Sequence, residues 1–154
     1  MITVQKNISL PASEWHTYKA ILNQAARSTL AAIPSQPKGD LTLVLCDDAQ
    51  IRLLNQQFRN LDSPTDVLSF AIDEINPQSG RKYLGDVVIS LERAREQAMA
   101  AAHPLEAELA LLTVHGVLHL CGYDHATAEE KAQMWKMQND ILALLGIRLS
   151  SLTA

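Results

Sequence analysis

Residues 105–125 read LEAELALLTVHGVLHLCGYDH. Leu105, Leu109, Leu111, Leu112, Val114, Val117, Leu118 and Leu120 would place apolar side chains on nearly every side of a helix, and a helix of that kind is central and buried. Pro104 suits its first turn, where a missing N–H costs nothing. Glu106 and Glu108 suit the positive end of the same helix. Gly122 terminates it, in a left-handed conformation. Only two residues past the first turn break the apolar pattern strongly, His115 and His119. Four positions apart on a helix, they send two imidazoles toward one point. The turn at Gly122 lets His125 swing back toward that point. The domain is therefore expected to be built around a buried helix that, with its following loop, carries a metal site.

Working outward, the pattern predicts an α+β fold: a small mixed sheet of about four strands packed with about five helices, in a single domain over residues 1–154. Thr3–Ile8 reads as a short edge strand. Ser13 caps a helix from Glu14 to about Ala32, which Pro34, Pro37 and Gly39 then end. LTLVLC, Leu41–Cys46, is a compact apolar strand. Asp47 and Gln50 form a capping box for a helix to Phe58. A turn at Asp62–Pro64 precedes the strand VLSFAI, Val67–Ile72. The loop NPQSG, Asn76–Gly80, leads to the strand LGDVVIS, Leu84–Ser90, placed to pair with it as a hairpin. Ser90 caps a helix to about Ala102. Thr127 and Glu130 form a capping box for the last helix, whose stripe is Met134, Met137, Ile141 and Leu144 or Leu145, with Gly146 at its end.

The composition, 47% hydrophobic and 19% charged, is that of an ordinary soluble globular protein. The opening MITVQKNISL lacks the pattern of a signal peptide, and the longest apolar run is too short to span a bilayer. A cytoplasmic location is expected, with no membrane partner. Cys46 and Cys121 are expected as buried thiols in a reducing compartment. A net charge of -4 argues against a uniformly basic surface for nonspecific nucleic-acid binding, without excluding a local basic groove. Arg52 and Arg59 form one basic group; Arg81, Lys82, Arg93 and Arg95 form another.

Three neutral imidazoles with an open fourth position make a catalytic zinc site, because a structural one closes with a fourth protein ligand. Buried, hydrogen-bonded core histidines are the bland alternative. Two such rings on an apolar helix, plus a glycine and a third histidine at metal-site spacing, weigh against it. Imidazole favours zinc, and nickel, copper or iron also accept it. Asp124 either orients a ligand histidine or caps the turn. The spacing matches the zinc-peptidase frame H-E-x-x-H-x-x-G-x-x-H in all but one element. Gly116 stands where a peptidase has its general-base Glu. Peptide cleavage needs that acid to protonate a poor leaving amine. A phosphodiester instead needs cations around an anionic transition state. A metal is one such cation, and an arginine would be a second.

HGVLHLCGYDH, 115–125, resembles the signature of the YbeY family of bacterial rRNA maturation factors, metal-dependent endoribonucleases. FRNLDSPTDVLSF, Phe58–Phe70, is similar to the family's arginine-containing turn and strand, LNQQFR, Leu54–Arg59, extends that match, and GDVVIS, Gly85–Ser90, is similar to its following strand. The likeness covers about residues 40–145. It implies one zinc ion per chain on His115, His119 and His125, with His115 and Arg59 catalytic and Arg59 binding phosphate near the metal. It implies cleavage of single-stranded RNA in maturation of the 3′ end of 16S rRNA, and ribosome quality control. The partners it implies are rRNA and the small ribosomal subunit, with a ribosomal protein or an assembly GTPase as further candidates, and no DNA. Lys82 is a second candidate RNA contact. From the residues alone, Arg59 is equally suited to pairing with Asp62 or Asp66. Asp86 reads as structural, Trp15 and Trp135 as packing, and Tyr83 or Tyr123 as the aromatics open to RNA. Two rivals stand beside this reading: a non-catalytic ribosome-assembly factor with a structural metal, and a metallohydrolase of another substrate.

Overall fold

The computed structural model describes residues 1–34 and 39–149, so the expected break at Pro37 lies outside the described residues. Four strands, β1 (Ile2–Lys6), β2 (Gly39–Cys46), β3 (Val67–Ile75) and β4 (Lys82–Ser90), form one mixed sheet in the order β1-β2-β4-β3. The first three of that order run parallel, and β3 closes the sheet as an antiparallel edge strand. Five helices pack with it: α1 (Ala12–Ala32), α2 (Asp48–Arg59), α3 (Leu91–Ala101), α4 (Leu105–Leu120) and α5 (Ala128–Leu144). The expected α+β architecture is the observed one. Among the described residues no helix is long and apolar enough to cross a membrane.

Strand alternation explains the layers. Leu41, Leu43 and Leu45 of β2, with Val87 and Ile89 of β4, face α1 and α4 in the main core. Cys46, Leu68 and Val88 face the other way, against Ile51 of α2. Helix α4 is buried from Ala107 to Leu118, as its all-round apolar sequence requires. It is sandwiched between the sheet and α5, whose Met134, Ile141 and Leu142 join α4's Leu111, Val114 and Leu118 in a second cluster. The central helix thus carries its histidines at the sheet's β3–β4 side.

Local signals ended the elements nearly where expected. Asp47, Ser90 and Thr127 each cap a helix, their side chains accepting from the N–H groups of Gln50, Arg93 and Glu130. Three details differ, and one open alternative is resolved. The cap residue of α1 is Pro11, and Ser13 lies inside the first turn, because a proline's fixed φ starts a helix without a side-chain cap. The reciprocal half of the Asp47 box is missing, since Gln50 Nε2 donates to the Asn7 carbonyl at 2.7 Å. Of the two leucines offered for the end of the last stripe, Leu145, the residue that caps α5, packs inward, while Leu144 is 78% exposed. β1 also stops at Lys6, short of Ile8.

A three-histidine cavity beside an edge strand

The helix and its terminus converge the imidazoles as expected. His115 is buried on α4, His119 half-buried one turn later, and His125 exposed in the loop beyond. Gly122, at φ 95, makes the turn that returns the chain; its N–H donates to the His119 carbonyl. One ring nitrogen from each histidine lies within 4.8 Å of the others. The Nε2 atoms of His115 and His119 are 3.1 Å apart. Two nitrogens on one tetrahedral zinc stand about 3.3 Å apart, so this pair is already near the spacing of a shared ion.

The protonation state fits as well. His115 Nδ1 lies 2.5 Å from Oε1 of Gln138, a fully buried residue of α5. An amide oxygen only accepts, so Nδ1 carries the proton and the Nε2 lone pair is free for a metal. Burial, chiefly, pushes the His115 pKa down to about 4, with the neighbouring His119 and His125 adding to the effect. Burial, then His125, also lowers that of His119. Both rings are therefore neutral at pH 7, the form that binds metal. The three donors fit one ion with nitrogen preference. Cys121 stays outside: burial raises its thiol to about 11, and it packs against the core, as does buried Cys46.

Tertiary contact explains the missing acid. A Cβ at position 116 would lie 2.5 Å from Val87 Cγ1, 3.2 Å from Ser69 Oγ and 3.3 Å from Val67 Cγ2. Gly116 is where α4 presses against β3 and β4, and its carbonyl accepts from Ser69 Oγ at 2.9 Å. Even a methyl group there would force helix or strand to shift, and a glutamate would need far more room. The Ser69 hydroxyl is thereby occupied in holding the helix.

The histidines line a cavity of about 700 Å³ together with Arg59, Asp66, Ser69, Ala71 and Tyr123. Arg59 ends α2 and reaches the cavity at the edge of β3, where Nη2 donates to the Ser69 carbonyl at 2.9 Å and the guanidinium sits 5.9 Å from the Phe70 ring. Neither aspartate proposed as its partner holds it. Arg52 takes Asp62 at 2.7 Å, and Asp66 accepts from Val67 N–H and from Gln97. Among the described residues no carboxylate pairs with Arg59, so its charge is left to the cavity. Lys82 stands elsewhere, at the start of β4, with Nζ 2.6 Å from Asp73. Asp124 caps the turn by accepting from His125 N–H at 2.7 Å, the simpler of its two expected roles. Asp86 and Thr42 both bond the Tyr83 hydroxyl, which makes Asp86 structural and removes Tyr83 from the candidates for RNA contact; Tyr123 lines the cavity.

Sequence reasoning missed Gln138 and the contacts of Trp135 with the histidines, its ring meeting His115 and His125 edge-on at 5.8 and 5.7 Å. A polar Gln138 on the inward stripe of α5 was the available signal.

The chain matches the family model described as Endoribonuclease YbeY over residues 3–146. It is 45% identical over 130 residues to the endoribonuclease YbeY of Pelotomaculum thermopropionicum, covering 82% of this chain and 86% of that protein. It is 44% identical over 128 residues to that of Rhodococcus opacus, covering 79% and 71%. The solution structure of TM1509 from Thermotoga maritima shares the fold, with a TM-score of 0.57 and 24% identity over 95% of this chain and 92% of that one.

Proposed function

The chain belongs to the YbeY endoribonuclease family, and we propose that it cleaves single-stranded RNA in the cavity shared by His115, His119, His125 and Arg59. The observation that carries this reading is the pairing of three convergent imidazoles with an arginine that no carboxylate pairs among the described residues, around a position where a peptidase's acid cannot fit. Arg59 and a metal ion on the three imidazoles would together supply two cations to the cavity, which suits an anionic phosphodiester transition state.

His115, His119 and His125 would hold one metal ion, with zinc the ion we assign, and that ion supplies Lewis acidity at the scissile phosphate. Gln138 keeps His115 in the tautomer that leaves Nε2 open. Arg59, anchored through Ser69, holds a phosphate oxygen and offsets charge developing on it. His115 and Arg59 are therefore the residues we assign to catalysis. Lys82 is an outlying contact for the same RNA, reached at the far end of the β3–β4 hairpin when Asp73 releases it.

We assign maturation of the 3′ end of 16S rRNA and ribosome quality control as the process, in the cytoplasm, with the small ribosomal subunit as the partner. A ribosomal protein or an assembly GTPase would bring the enzyme to it. The test is cleavage of a labelled single strand spanning the precursor 3′ end. Wild type should cut it, while His119→Ala and Arg59→Ala should not. Equal cutting by all three would trace the activity to a contaminant. A wild type that binds the RNA without cutting it, even within the small subunit, would favour the assembly-factor rival.

A further inference from the structure

An antiparallel strand turns alternate residues' N–H and C=O groups toward its partner and away from it. Three contacts fix that phase in β3. Ser90 N–H donates to the Asp66 carbonyl at 2.9 Å. A Cβ on Gly85 of β4 would collide with the Phe70 carbonyl oxygen. The Ser69 carbonyl instead accepts from Arg59. Asp66, Leu68 and Phe70 therefore face β4, and Val67, Ser69 and Ala71 face away. β3 is the last strand of the sheet, and these three outward residues all line the histidine cavity. The Val67 N–H is already taken by Asp66 Oδ1 at 2.8 Å. The N–H groups of Ser69 and Ala71 remain as donors on the open edge.

We propose that this edge is a rail for the substrate's phosphodiester backbone, on which the main-chain N–H groups of Ser69 and Ala71 donate to oxygens of two successive phosphates at the cleavage site. The proposal rests on the RNA-cleaving reading above. Outward donors two residues apart on a strand are separated by about 7 Å, close to one nucleotide step of an extended single strand. Arg59 places a cation at the same edge. An added polypeptide strand would need donors and acceptors in alternation along the edge. Two of those points are spent, the Ser69 carbonyl on Arg59 and the Val67 N–H on Asp66. A phosphodiester asks only for donors.

The first measurement is of amide resonances in ¹⁵N-labelled wild type, titrated with the RNA products of its own cleavage. The Ser69 and Ala71 amide protons should move downfield together. The second is Ala71→Pro, which deletes one donor at an outward position where no ladder bond is lost. Its KM for single-stranded RNA should rise about tenfold, the scale of one hydrogen bond to a charged group. The salt dependence of binding should not change, because no charge is removed. Arg59→Ala should flatten that dependence. Unmoved Ser69 and Ala71 amides at saturating RNA would overturn the rail, and that readout stands even if the proline variant fails to fold. An unchanged KM in a folded Ala71→Pro would overturn it too. So would movement of these amides with an extended Thr-Val peptide in place of RNA. If wild type neither binds nor cuts RNA, the underlying reading falls first, and the rail with it.

Discussion

Gly116→Ala adds one methyl group at the contact between α4 and the sheet. The new Cβ would stand 2.5 Å from Val87 Cγ1, on a fully buried, β-branched side chain. Carbon atoms prefer about 3.5–4.0 Å, so helix or strand must give by roughly 1 Å. Overpacking of this kind costs about 1–3 kcal/mol. Replacing a helical glycine by alanine recovers about 1 kcal/mol of propensity. The net expectation is a loss of about 0–2 kcal/mol, or up to roughly 8 °C in melting temperature for a chain of this size. The functional cost should be larger. His115 and His119 flank the shifted residue, and a displacement of about 1 Å at a reacting centre can cost about a hundredfold in rate. Val87→Ala removes the opposing methyls, so the double variant should lose less stability than the two single losses added, and should recover cleavage relative to Gly116→Ala. Urea unfolding of the four proteins gives the coupling directly. A Gly116→Ala protein more stable than wild type, with no coupling to Val87, would refute the claim that packing excludes the acid.

Metal-free protein should lose stability as pH falls from about 6.5 to about 4. The folded His115 pKa is depressed to about 4, so the unfolded chain binds more protons across that window; the stability is fully present above 6.5. The loss from this ring is about 3 kcal/mol, measurable by urea unfolding at successive pH values, and a flat profile would contradict it. Gln138→Leu should weaken metal binding by roughly 10–100-fold in a chelator competition while circular dichroism stays native, and Gln138→Glu, which keeps an acceptor, should restore much of it. Arg59→Lys should lower RNA cleavage by about a hundredfold, because an ammonium cannot bond the Ser69 carbonyl and grip a phosphate in the same planar geometry. Cleavage equal to wild type would remove Arg59 from the chemistry.

The frame His115, His119, Gly122, His125 was legible in the chain because its spacing is local. A helical repeat and one glycine turn place all three rings without help from elsewhere. The buried helix, the three side-chain caps on α2, α3 and α5, and the hairpin were legible for the same reason, each being decided within a few residues. The α1 cap was misread because Ser13 and Pro11 both sit near the start, and only backbone geometry chooses between them. Other features depended on segments distant in sequence. Gln138 reaches His115 only because α5 packs on α4. Arg59 is free for the cavity only because Arg52 takes Asp62 and Asp66 turns to its own strand. Gly116 reads as a lost acid in the sequence, but it is a close contact with Val87 once the sheet is in place. Local periodicity determines which side chains share a face, whereas which partner that face meets, and how closely, depends on long-range packing that one stretch of sequence does not contain.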